Sequence, residues 1–194
     1  VQQYQVVVDP VKLRGYGVAP MAVAEAIRKV MPLERLRLHL AARLSARETA
    51  NALVDAALAQ GGRDNITVIV VDVDRFKQLN DAFGHRVGDA ALREIAACLD
   101  TRRREADVLA RYGGEEFVLL LAGTPLAEGL AVAEELRERV AALRFRHRDT
   151  AVEITISCGL TELREGDDAH AVFERADRAL YRAKREGRNR CVTD

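Results

Sequence analysis

At 194 residues the chain can bury one good core, and any second independent domain would have to be small. Apolar residues make up 48% and charged residues 31%, with 4 prolines and no low-complexity tract, which excludes a disordered or fibrous chain. Lys plus Arg and Asp plus Glu each total 30, so no global field draws the molecule onto nucleic acid or an anionic membrane. Any anion it binds must be met by a local site.

In chain order, residues 3–8 read as a short strand closed by Asp9-Pro10, and the alanine-rich stretch 21–30 reads as a helix, giving one βα unit. Leucines and alanines recur at helical spacing over 33–60, opened by Pro32 and ended by Gly61-Gly62. Residues 66–73 are an almost unbroken β-branched run, apolar on both faces as in the centre of a covered sheet. Helices are expected at 75–83 and 89–99, separated by Gly84 and Gly88. Strands follow at 108–112 and 116–121, joined as a tight hairpin through Gly113-Gly114. A periodic helix at 125–143, an alternating strand at 151–160 and a helix at 169–186 ended by Gly187 complete the order. No internal repeat is present.

The cysteines Cys98, Cys158 and Cys191 are odd in number, far apart and set among apolar residues, so they read as small core residues in a reducing compartment. No apolar run approaches the roughly 18 residues that span a bilayer, and the start lacks the pattern of a signal peptide. The expectation is a cytoplasmic protein.

Three clusters set acids and glycines at strand ends and turns, where packing alone would not ask for them. Asp72-Val73-Asp74 ends the β-branched strand. Acids there serve metal and phosphate sites, although many simply end a strand in water. Arg111-Tyr-Gly-Gly-Glu-Glu-Phe117 places Gly113 and Gly114, which let backbone approach a phosphate, before Glu115 and Glu116, whose oxygens suit a hard cation. The third cluster runs from Phe76 and Lys77 through Asn80-Asp81 and Gly84-His85 to Gly88-Asp89.

These stretches closely resemble the GGDEF diguanylate cyclase domain: DVDRFKQLNDAFGHRVGD at 72–89, RYGGEEF at 111–117, ITISCGL at 154–160, and Ala176-Asp177, Leu180-Tyr181, Ala183-Lys184 and Gly187-Arg188-Asn189. The likeness runs from about Ile66 to the end, and four motifs in order and spacing leave little to chance. It implies an α/β (α+β) fold like that of class III nucleotide cyclases: a ferredoxin-like core with a five-stranded, mostly antiparallel sheet flanked by helices. The domain expected is 63–194, preceded by a βα and helical extension over 1–62.

What the resemblance implies for chemistry is condensation of two GTP molecules into cyclic di-GMP across a homodimer, each 3′-hydroxyl attacking the other nucleotide's α-phosphorus. Asp72, the Val73 carbonyl and Glu115 would hold Mg²⁺, with Mn²⁺ as an alternative, and Glu116 would assist the cation or the deprotonation. Asn80 and Asp89 would read guanine through its adjacent N–H donors. Backbone N–H groups near Phe76 and Lys77, with Lys184 and Arg188, would contact the β- and γ-phosphates. Arg104 and Asp107 occupy the place where the family carries an inhibitory product site. Neither nucleic acid nor membrane is expected as a partner.

The family's usual opening segment, DxLTxLxNR, is not found. Residues 48–73 instead resemble the closing helix and strand of metal-dependent serine/threonine phosphatases, with Asp64 at a metal-binding position. Residues 3–30 resemble a porter fragment of resistance-nodulation-division efflux pumps. The chain therefore reads as chimeric. Phosphatase chemistry lacks its further aspartates, and pump function lacks a membrane span. Two readings stand beside the cyclase: a non-catalytic module that binds GTP or cyclic di-GMP, and a folded, inactive chimera.

Overall fold

The β-branched run forms the strand on which the fold is built, β1 (Ile66–Val73), buried along nearly its whole length. The computed structural model describes residues 65–194 apart from Glu105 and Asp149. The βα unit at 3–30, the helical stretch at 33–60 and Asp64 lie outside the described residues.

After β1 come the helices α1 (Phe76–Phe83) and α2 (His85–Asp100), then the hairpin strands β2 (Val108–Arg111) and β3 (Glu116–Ala122) and the helix α3 (Leu126–Ala141). A two-residue pair, β4 (Arg146–His147) with β5 (Thr150–Ala151), precedes β6 (Ile156–Glu162), α4 (Ala169–Arg185) and β7 (Cys191–Thr193). The main sheet has five strands in the order β2-β3-β1-β6-β7. Every pairing is antiparallel except that of β6 with β7, so the sheet is mostly antiparallel, as expected.

Strand alternation divides the core in two. Ile69, Val71 and Val73 point with Phe117, Leu119 and Leu121 toward α1, α2 and α3, where Ile95, Leu99, Leu136 and Val140 are buried. Val68 and Val70 point with Val118 and Leu120 to the other face, covered by Val172, Phe173, Ala176 and Leu180 of α4. Each such side chain contributes about 1.5–3 kcal/mol by leaving water. On that second face the helix lies directly on the strand: a Cβ at Gly159 would strike the Ala176 carbonyl oxygen and the Leu180 amide nitrogen. Cys158 is buried, and Cys98 and Cys191 pack half-buried against the first cluster.

At the far end of α4 from its basic last turn, Asp168 caps the helix by accepting from the Ala171 N–H at 2.7 Å. Arg175 sits just inside, its guanidinium held by Asp167 at 2.6 Å, the Thr161 hydroxyl at 3.0 Å and the Glu162 carbonyl at 3.0 Å. Asp194 completes this network through Arg164 at 2.7 Å and Arg175 at 3.3 Å.

Three sequence expectations shift. Gly88 is not a break: α2 begins at His85, and Gly88 lies inside it because the Asn80 side chain occupies the space a Cβ would need. Residue 75 does not open α1; Arg75 caps it in the left-handed region, at φ 56°. The single strand at 151–160 resolves into β5, an irregular approach with Val152 and Ile154 buried, and β6. Its alternation is real, but over 152–155 it reflects burial without a ladder.

Candidate active site

The alternation that buries Val68 and Val70 on the α4 side carries Asp72 to the same side at the end of β1. There the last turn of α4 delivers Lys184, whose Nζ lies 2.7 Å from Asp72 Oδ2. Glu116 stands directly opposite Asp72 in the antiparallel register, and the Glu115 carbonyl accepts from the Val73 N–H at 3.2 Å. Like charges set opposite each other across strands repel. Burial first, then the charge of Asp72, pushes the carboxyls of Glu115 and Glu116 above the usual carboxylate range. Asp72 is raised as well, by burial, with Lys184 opposing it and Asp74 adding to it. Lys184 thus opposes the charge of all three carboxyl groups, joined at Asp72 by Arg188, and the acids outnumber these cations.

The hairpin that presents Glu115 and Glu116 is tied by its own backbone. Tyr112 and Gly113 both donate to the Glu116 carbonyl, at 2.7 and 3.2 Å, while Arg111 reaches over the turn to the carbonyls of Gly113 and Gly114, at 3.2 and 2.6 Å. At 113 a Cβ would sit 2.6 Å from Glu116 Oε2, so a larger residue there would displace the Glu116 carboxylate. At 114 the space is open, and the residue is exposed.

Two cavities flank this acid cluster. One, of about 520 Å³, is lined by Asp89, Leu92, Arg93, Leu109, Arg111 and Phe117. Asp89 is exposed on α2, and next to it in sequence Gly88 touches the Asn80 side chain, whose buried Oδ1 has no hydrogen-bond partner. An orphaned buried acceptor is costly unless a ligand donor meets it. The other cavity, of about 560 Å³, is lined by Asp74, Arg75, Thr155, Gly187, Arg188 and Asn189. The first turn of α1 opens beside it, with Phe76 buried as a side chain and Lys77 exposed. The first N–H groups of a helix have no partner within the helix, and those of Phe76 and Lys77 are of this kind.

The structure thus brings Asp72, Glu116 and Lys184 together with the Glu115 and Val73 backbone, and sets Arg188 close enough for its charge to lower Asp72 slightly. Among the described residues no three His, Cys, Asp or Glu side chains form a ready-made metal cage. The donor set is two carboxylates and a carbonyl, all hard oxygens, the kind that holds a small divalent ion together with substrate phosphates and water.

Arg104 and Asp107 are found elsewhere and already engaged. Arg104 grips Asp107 with two bonds of 3.0 Å and also reaches the Ala122 carbonyl at 2.8 Å and Thr124 Oγ1 at 2.6 Å. The Asp107 carboxylate also accepts from the backbone N–H groups of Arg104 and Ala122, so it braces the start of β2 against the end of β3. Its side chain is 1% exposed, whereas that of Arg104 is 59% exposed. As a product-binding pair they are unequal: only the arginine is presented to solvent.

The family model for the diguanylate cyclase GGDEF domain matches residues 39–190. The chain belongs to the GGDEF domain family. Diguanylate cyclase DgcP of Pseudomonas aeruginosa is 46% identical over 139 residues, 71% of this chain and 21% of DgcP. The response regulator PleD of Caulobacter vibrioides is 42% identical over 134 residues, 68% of this chain and 30% of PleD. The chain therefore spans between a fifth and a third of the length of these relatives. Among solved structures, the active GGEEF domain of a Vibrio cholerae diguanylate cyclase superposes with a TM-score of 0.71 at 35% identity, over 78% of this chain and 97% of that one. The GGDEF domain of DgcB from Caulobacter crescentus, solved with c-di-GMP, gives 0.72 at 36% identity, over 76% and 89%.

The GGDEF match begins at residue 39, well before Ile66, where the sequence motifs first carry it. It therefore takes in residues 39–65, part of which the phosphatase resemblance had claimed. Neither that resemblance nor the efflux-pump one gains support from these comparisons. No described helix of this GGDEF domain is long and apolar enough to cross a membrane.

Sequence reasoning missed two contributors. Asp74 was noted only as part of the Asp72-Val73-Asp74 cluster and given no role of its own, yet it accepts from Ser157, Thr155 and the Asn189 N–H. Arg137 of α3, bonded to Asn189 Oδ1 at 3.0 Å, lies in no motif, and only the fold brings it to this end of the sheet.

Proposed function

We propose that this GGDEF domain, over 63–194, is a diguanylate cyclase that condenses two GTP molecules into cyclic di-GMP. The observation that carries the reading is the cluster at the end of β1: Asp72, Glu115 and Glu116 gather around Lys184, with an orphaned Asn80 acceptor on the following helix and a cavity lined by Arg188. Such a charge deficit suits a site completed by a cation and a nucleotide.

In this reading Lys184, Arg188 and the first N–H groups of α1 at Phe76 and Lys77 hold the β- and γ-phosphates. Asn80 and Asp89 accept from guanine, leaving ATP poorly paired because adenine offers no matching donors. Gly113 and Gly114 allow the hairpin backbone to come close to the nucleotide. Asp72, Glu115 and the Val73 carbonyl would hold a divalent ion, Mg²⁺ or in its place Mn²⁺. Bound there, it would neutralise phosphate charge and polarise the α-phosphate. Glu116, with its carboxyl raised, is a candidate to take the 3′-hydroxyl proton.

Each domain binds one GTP, and attack passes from one nucleotide to the other, so the working unit is a two-fold homodimer. Feedback by cyclic di-GMP at Arg104 and Asp107 belongs to the same reading, with the exposed guanidinium as the first contact. A protein consuming GTP in this way works in the cytoplasm.

Purified chain incubated with GTP and Mg²⁺, with products followed by chromatography, should yield cyclic di-GMP. Glu115→Ala and Asp89→Ala should yield little or none. Tight GTP binding without product from the parent would make the domain a binding module and sink the catalytic reading.

A further inference from the structure

The segment that follows α4 turns a sharp corner. Gly187, Arg188 and Asn189 stand at φ 120°, 67° and 46°, so two successive non-glycine residues adopt the left-handed region, which L-residues rarely visit. Such a corner persists only where its surroundings hold it.

Two neighbours hold it. From one side, Asp74 Oδ2 accepts from the Asn189 N–H at 3.0 Å. That carboxylate is itself fixed to the sheet by the Thr155 and Ser157 hydroxyls, each at 2.7 Å, and its backbone N–H donates to the Thr155 carbonyl at 2.9 Å. From the other side, Arg137 of α3 donates to Asn189 Oδ1 at 3.0 Å and, through Nε, to Glu134 Oε2 at 2.6 Å. The remaining Glu134 oxygen accepts from the Cys191 N–H at 3.3 Å. Backbone and side chain of Asn189 are thus gripped from opposite directions, with Glu134 securing the residue two places on. Between the end of α4 and this clip hangs Arg188, lining the same cavity as Arg75 and Asp74.

We infer that Asp74, Glu134 and Arg137 are positioning residues, which hold the 188–191 corner so that the Arg188 guanidinium is presented to the triphosphate. The inference rests on the cyclase reading only in assigning Arg188 to phosphate. None of the three touches the nucleotide in this scheme. Asp74 differs from its neighbour Asp72 in that both its oxygens are already satisfied by protein donors, which leaves it a structural acceptor rather than a cation ligand.

The test uses four variants of the full chain: Asp74→Asn, which turns an acceptor toward donors, Arg137→Ala, Arg137→Lys, and Arg139→Ala. Arg139 lies on the same helix but pairs with Glu135 and Thr101, so it controls for loss of charge. Amide exchange at residues 188–190 should quicken about tenfold in Asp74→Asn and Arg137→Ala. KM for GTP should rise about tenfold with kcat within about twofold, the mark of lost ground-state binding. Arg137→Lys should recover part of both effects, and Arg139→Ala should match the parent. Unchanged exchange in both clip variants overturns the inference; so does faster exchange with KM unmoved, or a fall in kcat alone. Should Asp74→Asn fail to fold, Arg137→Ala decides, because that part-buried side chain belongs to neither apolar cluster of the core. A parent chain that neither binds GTP nor forms product defeats the cyclase reading instead, and the exchange rates still decide whether the clip exists.

Discussion

The two ends of α4 meet the same sheet with opposite electrostatics. At its start, Arg175 is surrounded by Asp167, Asp194, Thr161 and the Glu162 carbonyl, and the Asp167 carboxyl is drawn below the usual range by Arg175. At its finish, Lys184 faces Asp72 while Glu115 and Glu116 crowd in, and all three acids are pushed up. The first end is complete as a protein structure; the second has acceptors in excess and donors in deficit. A fold that can satisfy a buried arginine so fully at one end has not failed to do so at the other. The imbalance is the one the cyclase reading proposed above would relieve with a cation and phosphates.

The sharpest way to break that contrast is to remove an acid from the deficient end. Glu115→Ala or Asp72→Ala should lower cyclic di-GMP formation on the order of a thousandfold. Thermal stability should hold or rise, since mutual repulsion is relieved, and a melting scan beside the activity assay reads both. At the satisfied end the pattern should invert. Arg175→Ala leaves Asp167 without its main partner and Asp194 with Arg164 alone, and should cost about 3 kcal/mol of stability, read by denaturant unfolding. Activity per folded molecule should persist. If Arg175→Ala instead abolished turnover in a fully folded protein, the division of labour between the two ends would be wrong.

Ligand addition separates the ends more gently. Mg²⁺ or Mn²⁺ at ten times its dissociation constant should stabilise the parent by about 1.4 kcal/mol, by mass action. It should leave Asp72→Ala unmoved, because the oxygen donors then lack a member.

Acid titration of the metal-free protein should give the smallest effect, with opposite signs at the two ends. An acid whose folded pKa lies above its unfolded value binds more protons when folded, so the stability it removes at neutral pH returns as pH falls through that raised value. Asp72, Glu115 and Glu116 belong to this class. Asp167 is depressed, so its contribution is present above the ordinary carboxylate value and fades only as pH falls through its lower folded one. Melting temperature should therefore rise as pH drops from neutrality toward the carboxylate range, then fall at stronger acid. Glu115→Gln with Glu116→Gln should flatten the rise and keep the fall.

Much of this arrangement was legible in the residues, and the exceptions have physical reasons. β1 was found to the residue because a β-branched run of that length packs best as a covered strand, and the hairpin because a Gly-Gly pair between two strand-like runs marks a tight turn. β7 escaped notice: three residues are too few for periodicity, and Cys191–Thr193 becomes a strand only by lying parallel to β6. The acids of the site were legible from type and spacing. Their pairing was not, because the opposition of Asp72 to Glu116 depends on a register set many residues away. Arg137 was invisible for a similar reason, since nothing in a charged stretch of α3 marks the one arginine that reaches Asn189. Arg104 and Asp107 were visible as a pair, but their grip on each other and on Ala122 and Thr124 depends on the fold.

Because α4 lies against β6 with no side chain between them at Gly159, its backbone comes down onto the sheet at a point between Arg175 and Lys184. An added methyl there would lift the whole rod, and the ammonium group at its tip would swing away from Asp72 although no charged residue had been altered. The reach of Lys184 is thus calibrated by a residue that carries no side chain at all.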